Sequence, residues 1–276
     1  KPLWTVNPPG SAFSGSNQLP TTITREISSE RRNRGGEMAK IAVVTGASGG
    51  MGRAITKALI RDSHFVVGLD IKDPSEKFDP TQYAHFKLDL TKSEEIDSVF
   101  GEIKSRFGGV DALVNNAGSC FMSDFPEIPA DEFELQMAVN FSSAFYCSQA
   151  AVKSMLKRDG FKKIVNISSN GAYNFDVFDP PHYRASKAAM DTLTKDLARR
   201  YAKERICCNS IAPAMTETPL FDLLTEETLK KAISNMPQGK PMQPSQIADW
   251  VAFLISPAGD VVSGNVIIIN QGRDVR

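Results

Sequence analysis

The 276-residue sequence predicts an α/β fold: a doubly wound parallel sheet with helices on both faces, forming one domain behind an N-terminal extension. Three observations predict it. Short β-branched apolar runs alternate with amphipathic stretches from residue 40 onward, glycines cluster directly after the first run, and an acidic residue closes the second.

The runs at 41–44, 65–69, 112–114, 164–167 and 266–269 are almost continuously apolar, as strands buried on both faces must be. Residues 207–211 add a further strand and 85–88 a shorter one. Helical periodicity covers 51–61, 93–106, 132–157, 183–203 and 244–254, with Ser93 and Ser245 as the expected capping residues. A short helix is expected to start near Thr225. Residues 1–37 differ. They are rich in Pro, Gly, Ser, Thr and Asn, lack periodicity, carry the basic run Arg31, Arg32 and Arg34, and contain no apolar secretory core. They are expected to be a flexible extension, an arm on a neighbouring subunit or a transit peptide being the alternatives. The domain is expected over 38–276, with Met38 as its natural start.

Lys plus Arg number 32 and Asp plus Glu number 32, a balance that argues against nucleic acid or an anionic membrane surface as partner. No apolar run is long enough to cross a bilayer. The four cysteines, Cys120, Cys147, Cys207 and Cys208, form no Cys-x-x-Cys and are expected to be reduced, structural thiols of a cytoplasmic protein. His64, His85 and His182 lack metal-ligand spacing, so no metal is expected.

Thr45-Gly46-Ala47-Ser48-Gly49-Gly50-Met51-Gly52 links the first strand to the first helix. A helix N-terminus there offers unpaired N–H groups to a pyrophosphate. Gly46 permits the tight turn, Gly50 a close approach of phosphate, and Gly52 close packing of the helix. Asp70 ends the second strand at the spacing of a ribose-binding carboxylate and would repel a 2′-phosphate. A Rossmann-type site for NAD is therefore expected. Gly49 supports it, since no cation sits inside the loop; Lys72 is a weak counter-indication.

The loop spacing resembles the short-chain dehydrogenase/reductase family, and the resemblance continues in order over residues 38–272. Asp89 in Leu88-Asp89-Leu90, the segment Asn115-Asn116-Ala117-Gly118, Asn140 in Val139-Asn140-Phe141, the strand Ile164 to Ser169, and Tyr183-x-x-x-Lys187 each resemble a family motif. The resemblance implies cofactor contacts at Gly46, Ser48, Gly50, Met51, Gly52, Asp70, Asp89, Leu90, Asn116, Ala117, Gly118, Tyr183 and Lys187. The segment from Asn209 to Thr218 adds Pro213, Thr216 and Thr218, with Ala214 where the family usually has glycine. It also implies a homotetramer or homodimer, pairing through the helices expected at 132–157 and 183–203.

A second Tyr-x-x-x-Lys, Tyr83 and Lys87, lies in an extended segment where four residues span about 13 Å. Only Tyr183 and Lys187, on a helix, share a face. A free phenol has a pKa of about 10, and an adjacent ammonium together with an oxidised nicotinamide would lower it. Tyr183 is thus the expected general acid/base, with Lys187 supplying the charge and holding the ribose. The resemblance further implies that Ser169, with Ser168 as fallback, orients the substrate oxygen, and that Asn140 supports a proton path. His182 is expected to be structural.

Residues 173–181 and 219–243 should shape the substrate pocket. Leu220, Phe221, Leu223, Leu224 and Met236 suggest a moderately apolar alcohol or ketone. Asp176 and Asp179 either face it, disfavouring an anion, or cap turns in water. Three functions stay open: an NAD-dependent alcohol dehydrogenase or ketone reductase, a 3-oxoacyl-thioester reductase, and a non-catalytic nucleotide sensor.

Overall fold

Every apolar run forms a strand, in a computed structural model that describes residues 38–174 and 179–274. The expected extension 1–37 and the segment 175–178, with Asp176, lie outside the described residues. The strands are β1 (Ile41–Thr45), β2 (Phe65–Asp70), β3 (Tyr83–Lys87), β4 (Ala112–Asn115), β5 (Lys162–Ile167), β6 (Ile206–Pro213) and β7 (Val266–Ile269). All pair in parallel in the order β3-β2-β1-β4-β5-β6-β7. The order reverses between β1 and β4, which opens a crevice at their carboxyl ends.

The helices are α1 (Gly50–Arg61), α2 (Ser93–Phe107), α3 (Ala130–Met137), α4 (Ser143–Met155), α5 (Pro181–Arg200), α6 (Glu226–Ser234) and α7 (Pro244–Ile255). Strand alternation divides the core in two. Ile41 and Val43 face α2, α4 and α5, while Ala42 and Val44 face α1 and α7. Burying both sides is what makes the strand sequences continuously apolar. Cys208 enters the first layer; its neighbour Cys207, on the opposite side of the pleat, donates to the Asp260 carbonyl, so the pair does not bridge.

Three expectations about helices need correction. Ser93 is the first residue of α2 rather than its cap; Lys92 holds that position without a side-chain hydrogen bond. At α7 the cap is Gln243 instead of Ser245: the Gln246 side-chain oxygen Oε1 accepts from the Gln243 N–H at 2.8 Å. The helix expected over 132–157 is interrupted by a π-helical turn, Ala138–Ser142, between α3 and α4. No proline or glycine marks that turn, so periodicity could not reveal it. Thr225 does cap α6, accepting from the Thr228 N–H.

Among the described residues no helix is long and apolar enough to cross a membrane. At the amino ends of the strands, Asp111 locks the sheet. Its carboxylate accepts from the Ile41 N–H (2.8 Å) and from Arg158 Nε and Nη2 (2.6 and 2.8 Å). Replacing Asp111 by Ala leaves the quarter-exposed Arg158 guanidinium with the Gly108 carbonyl but no carboxylate, and orphans a buried N–H. We expect a loss of about 2–3 kcal/mol, read as a lower urea midpoint at unchanged slope.

Candidate active site

Two adjoining hollows lie over the carboxyl edge of the sheet. One is lined by Gly46, Ser48, Gly50, Met51, Asp70, Asp89, Leu90, Asn116, Ala117, Gly118 and Thr218, as expected of a nucleotide cleft. The other is lined by Ser169, Asn170, Asn174, Asp179, Tyr183, Pro213, Thr216, Arg273 and a wall of Met122, Leu220, Phe221 and Leu224. Met51, Thr218 and Leu220 border both.

The glycine loop is held from behind. Gly46 turns with φ +64° and donates its N–H to the Leu69 carbonyl at 2.8 Å. Thr45 Oγ1 accepts from the N–H groups of Asn116 and Ala117, both at 3.0 Å, and Asn116 Nδ2 donates to the carbonyls of Thr45 and Gly46. The Asn116 side chain is therefore a brace for the loop rather than a free ligand group. Gly52 does not reach the cleft: a side chain there would strike the Gly46 carbonyl, so it lets the helix pack against the loop itself. Thr45 escaped the sequence reading because the motif logic rested on glycines.

Asp70 closes β2 and accepts from the N–H groups of Ser48 and Lys72, each at 2.9 Å. Both bonds fix the carboxylate at the cleft wall. Asp89 accepts from the N–H and hydroxyl of its own Thr91.

At the other hollow, the two candidate serines separate. Ser168 is buried and donates to Asp191 Oδ2 at 2.9 Å, beneath the site. Ser169 lines the pocket, accepts from the Gly171 N–H at 3.0 Å, and hydrogen-bonds the Tyr183 phenol. Tyr183 sits in the first turn of α5, and one turn later Lys187 Nζ stands 5.9 Å from its ring centroid. That amine donates to the Ile167 carbonyl at the end of β5, 2.8 Å away. Asn140, in the π-helical turn and fully buried, accepts from the Ser119 N–H (2.8 Å) and donates to the Ser119 carbonyl and to Ser186 Oγ. A β-carbon on Gly118 would come within 3.3 Å of both Asn140 Oδ1 and Lys187 Nζ, so the three residues share one corner.

Burial sets the electrostatics of that corner. Burial pushes the Lys187 amine down to about 8, against the opposing pull of Asp191 and Cys120. Burial first, then Asp179 and Cys120, pushes the Tyr183 phenol up; the Ser169 hydrogen bond counteracts only in part. Lys187 alone does not acidify the phenol, because desolvation of a buried phenolate outweighs an amine that is itself easily discharged.

The rejected and secondary candidates also find their places. The Tyr83 hydroxyl lies 3.1 Å from His85 Nδ1 and Lys87 pairs with Asp73, so this Tyr–Lys pair is structural. His182 is buried with Nε2 3.2 Å from Glu132 Oε1, away from both hollows. Thr216 is buried and donates its hydroxyl to the Ala214 carbonyl. Cys120 lines the pocket instead of the core, and burial raises its thiol to about 12. Asp179 faces the pocket too. No group of metal-ligating side chains exists among the described residues.

A family model described as enoyl-(acyl carrier protein) reductase matches residues 46–274. The chain is 32% identical over 238 residues to the 3-oxoacyl-(acyl-carrier-protein) reductase of Vibrio cholerae, covering 84% of this chain and 96% of that protein. It is 31% identical over 245 residues to the NAD-dependent glycerol dehydrogenase of Listeria innocua, covering 86% and 94%. Its fold is similar to the ligand-free aldohexose dehydrogenase of Thermoplasma acidophilum, with a TM-score of 0.79 at 30% identity, over 90% of this chain and 96% of that one.

The buried amine has a consequence for stability. A lysine whose folded pKa is about 8 and whose ordinary value is 10.5 binds fewer protons when folded, so its contribution to stability rises with pH across that window. Relative to a Lys187→Met variant, the wild type should gain about 3 kcal/mol between pH 8 and pH 10.5. Urea titrations of both proteins across that range test it; a flat difference refutes the shift.

Proposed function

The chain belongs to the short-chain dehydrogenase/reductase family, and from that premise we propose that it moves a hydride between NAD(H) and the carbinol or carbonyl carbon of a small alcohol or ketone. The observation that carries this reading is the contact of Ser169 with Tyr183 in the hollow adjoining the glycine-loop cleft.

The residues present fit a dinucleotide. A tight glycine turn faces the N-terminus of α1, and a carboxylate ends β2. Gly46, Ser48, Gly50 and Met51 would hold the pyrophosphate, Asp70 the adenosine ribose, and Asp89 and Leu90 the adenine. Ala117, Gly118 and Lys187 would hold the nicotinamide ribose, and Pro213, Thr216 and Thr218 the carboxamide. When bound, the nicotinamide supplies or takes up the hydride, and its oxidised ring brings the positive charge that a buried phenolate needs. Tyr183 then gives a proton to the substrate oxygen in reduction and takes one in oxidation. Ser169 holds that oxygen by a hydrogen bond. Lys187 and Asn140 keep the corner behind the phenol polar and ordered, which supports a proton path to Tyr183.

Asp70 supports NAD over NADP, since a 2′-phosphate would meet a carboxylate fixed by two N–H donors. Lys72 lines the same cleft and opposes this in part. The second reading, a 3-oxoacyl-thioester reductase, rests on similarity to the Vibrio cholerae enzyme. Against it, Arg273 is the only cation among the described residues lining the substrate hollow, with Asp179 opposite in sign. A cytoplasmic, self-associating protein fits the free thiols and the exposed aromatics. Those aromatics are Phe133, Phe145 and Tyr146 of α3 and α4, and Trp250 and Phe253 of α7.

Two measurements test the proposal. With NADH and a ketone panel, Tyr183→Phe should lower kcat/KM by about 10²–10⁴ while nucleotide binding persists, whereas Tyr83→Phe should change it less than about threefold. A Tyr183→Phe variant of full activity refutes the mechanism. Fluorescence titration should show tighter NADH than NADPH binding, with Asp70→Ala narrowing that preference by about tenfold or more. Equal affinities in the wild type would overturn the assignment of NAD.

A further inference from the structure

Two hydrogen-bond acceptors in the substrate hollow take no part in the proton or hydride steps themselves. The first is Asn170, 4% exposed, whose Nδ2 donates to Asp274 Oδ2 at 2.8 Å. A carboxylate only accepts, so this bond fixes the amide's orientation and leaves the Asn170 Oδ1 atom as an acceptor. That oxygen is buried and has no hydrogen-bond donor among the described residues. An unmet buried acceptor is costly in a finished site, unless a ligand brings the donor.

The second is Asp179. A β-carbon placed on Gly171 would meet Asp179 Oδ2 and, at 3.2 Å, Ser169 Oγ, so the carboxylate stands beside the hydroxyl that orients the substrate. Burial raises its pKa to about 6, with the Arg184 guanidinium opposing, which leaves it mainly ionised at neutral pH.

We propose that Asn170 and Asp179 set substrate specificity by accepting hydrogen bonds from further hydroxyl groups beside the reacting carbon, so that the substrate is a neutral polyol or sugar. The inference rests on the hydride-transfer reading and names the substrate class of that site. Both groups are acceptors, and a hydroxyl is the donor that a substrate carries without charge. A substrate carboxylate would be repelled by Asp179. An ammonium would meet Arg273, which lines the same hollow. The opposite wall of Met122, Leu220, Phe221 and Leu224 suits the C–H face of such a molecule.

Matched pairs isolate the extra hydroxyl: glycerol against propan-2-ol, and trans-cyclohexane-1,2-diol against cyclohexanol, each with NAD, plus acetoacetyl-CoA with NADH. In the wild type, kcat/KM for the hydroxylated member should exceed its partner by about tenfold or more, and should exceed that for the thioester. Asp179→Leu should collapse the ratio toward one. Asp179→Asn, which keeps a carbonyl acceptor in the same shape, should retain most of it. If Asp179→Leu fails to fold, the wild-type ratios and Asp179→Asn decide. Equal rates within the pairs, a preference for the thioester, or an equal loss on both members overturns the inference and leaves hydride transfer standing. Binding of NAD by thermal shift with no alcohol or ketone turned over overturns hydride transfer, and this inference with it.

Discussion

The hydrogen bond from the Lys187 amine to the Ile167 carbonyl is the contact on which the site depends. Ile167 is the last residue of β5, so this bond pins the first turns of α5 to the carboxyl edge of the sheet. Ser169, two residues beyond that carbonyl, is thereby held at the level of Tyr183. Because the amine is buried, water cannot replace the bond, and any displacement of the helix leaves a polar group unmet. Asp191, one turn further along α5, offsets the charge from below while it ties down Ser168 and the Tyr173 hydroxyl. The same carboxylate thus supports the amine and anchors Tyr173, next to the pocket-lining Asn174.

Burial dominates the electrostatics of this corner. It discourages charge on Lys187 and on Tyr183 alike, so the protein alone favours a neutral phenol. Such a phenol holds its proton tightly, and it gives the proton up or acts as a base only when a positive charge arrives beside it. That ties the acid/base behaviour of Tyr183 to the redox state of whatever sits in the adjoining cleft.

Much of this was legible in the residues because the constraints are local. Val, Ile and Leu runs specify strands buried on two faces, and the turn at Gly46 demands a left-handed backbone whatever lies around it. Tyr183 and Lys187 were separable from Tyr83 and Lys87 because helix and strand place i and i+4 differently. What stayed hidden was set by partners distant in the chain. Asn116 looked like a ligand group until Thr45, 71 residues away, took its hydrogen bonds. Ser168 and Ser169 are chemically identical in sequence, and only Asp191 on another element distinguishes them. The acceptor on Asn170 became visible only when Asp274, 104 residues on, fixed its amide.

The π-helical turn at Ala138–Ser142 has a wider consequence. By holding one residue more than an α-helical turn, it puts α3 and α4 out of rotational phase. The leading half can serve the loop at Ser119 to Ser123, through Gln136 and Glu132, while the trailing half buries Cys147, Ala151 and Met155 against the sheet. The loop-facing positions of α3 are thereby separated from the sheet-facing positions of α4, while Glu132 still couples α3 to His182 of α5, and the asparagine at the joint reaches both Ser119 and Ser186.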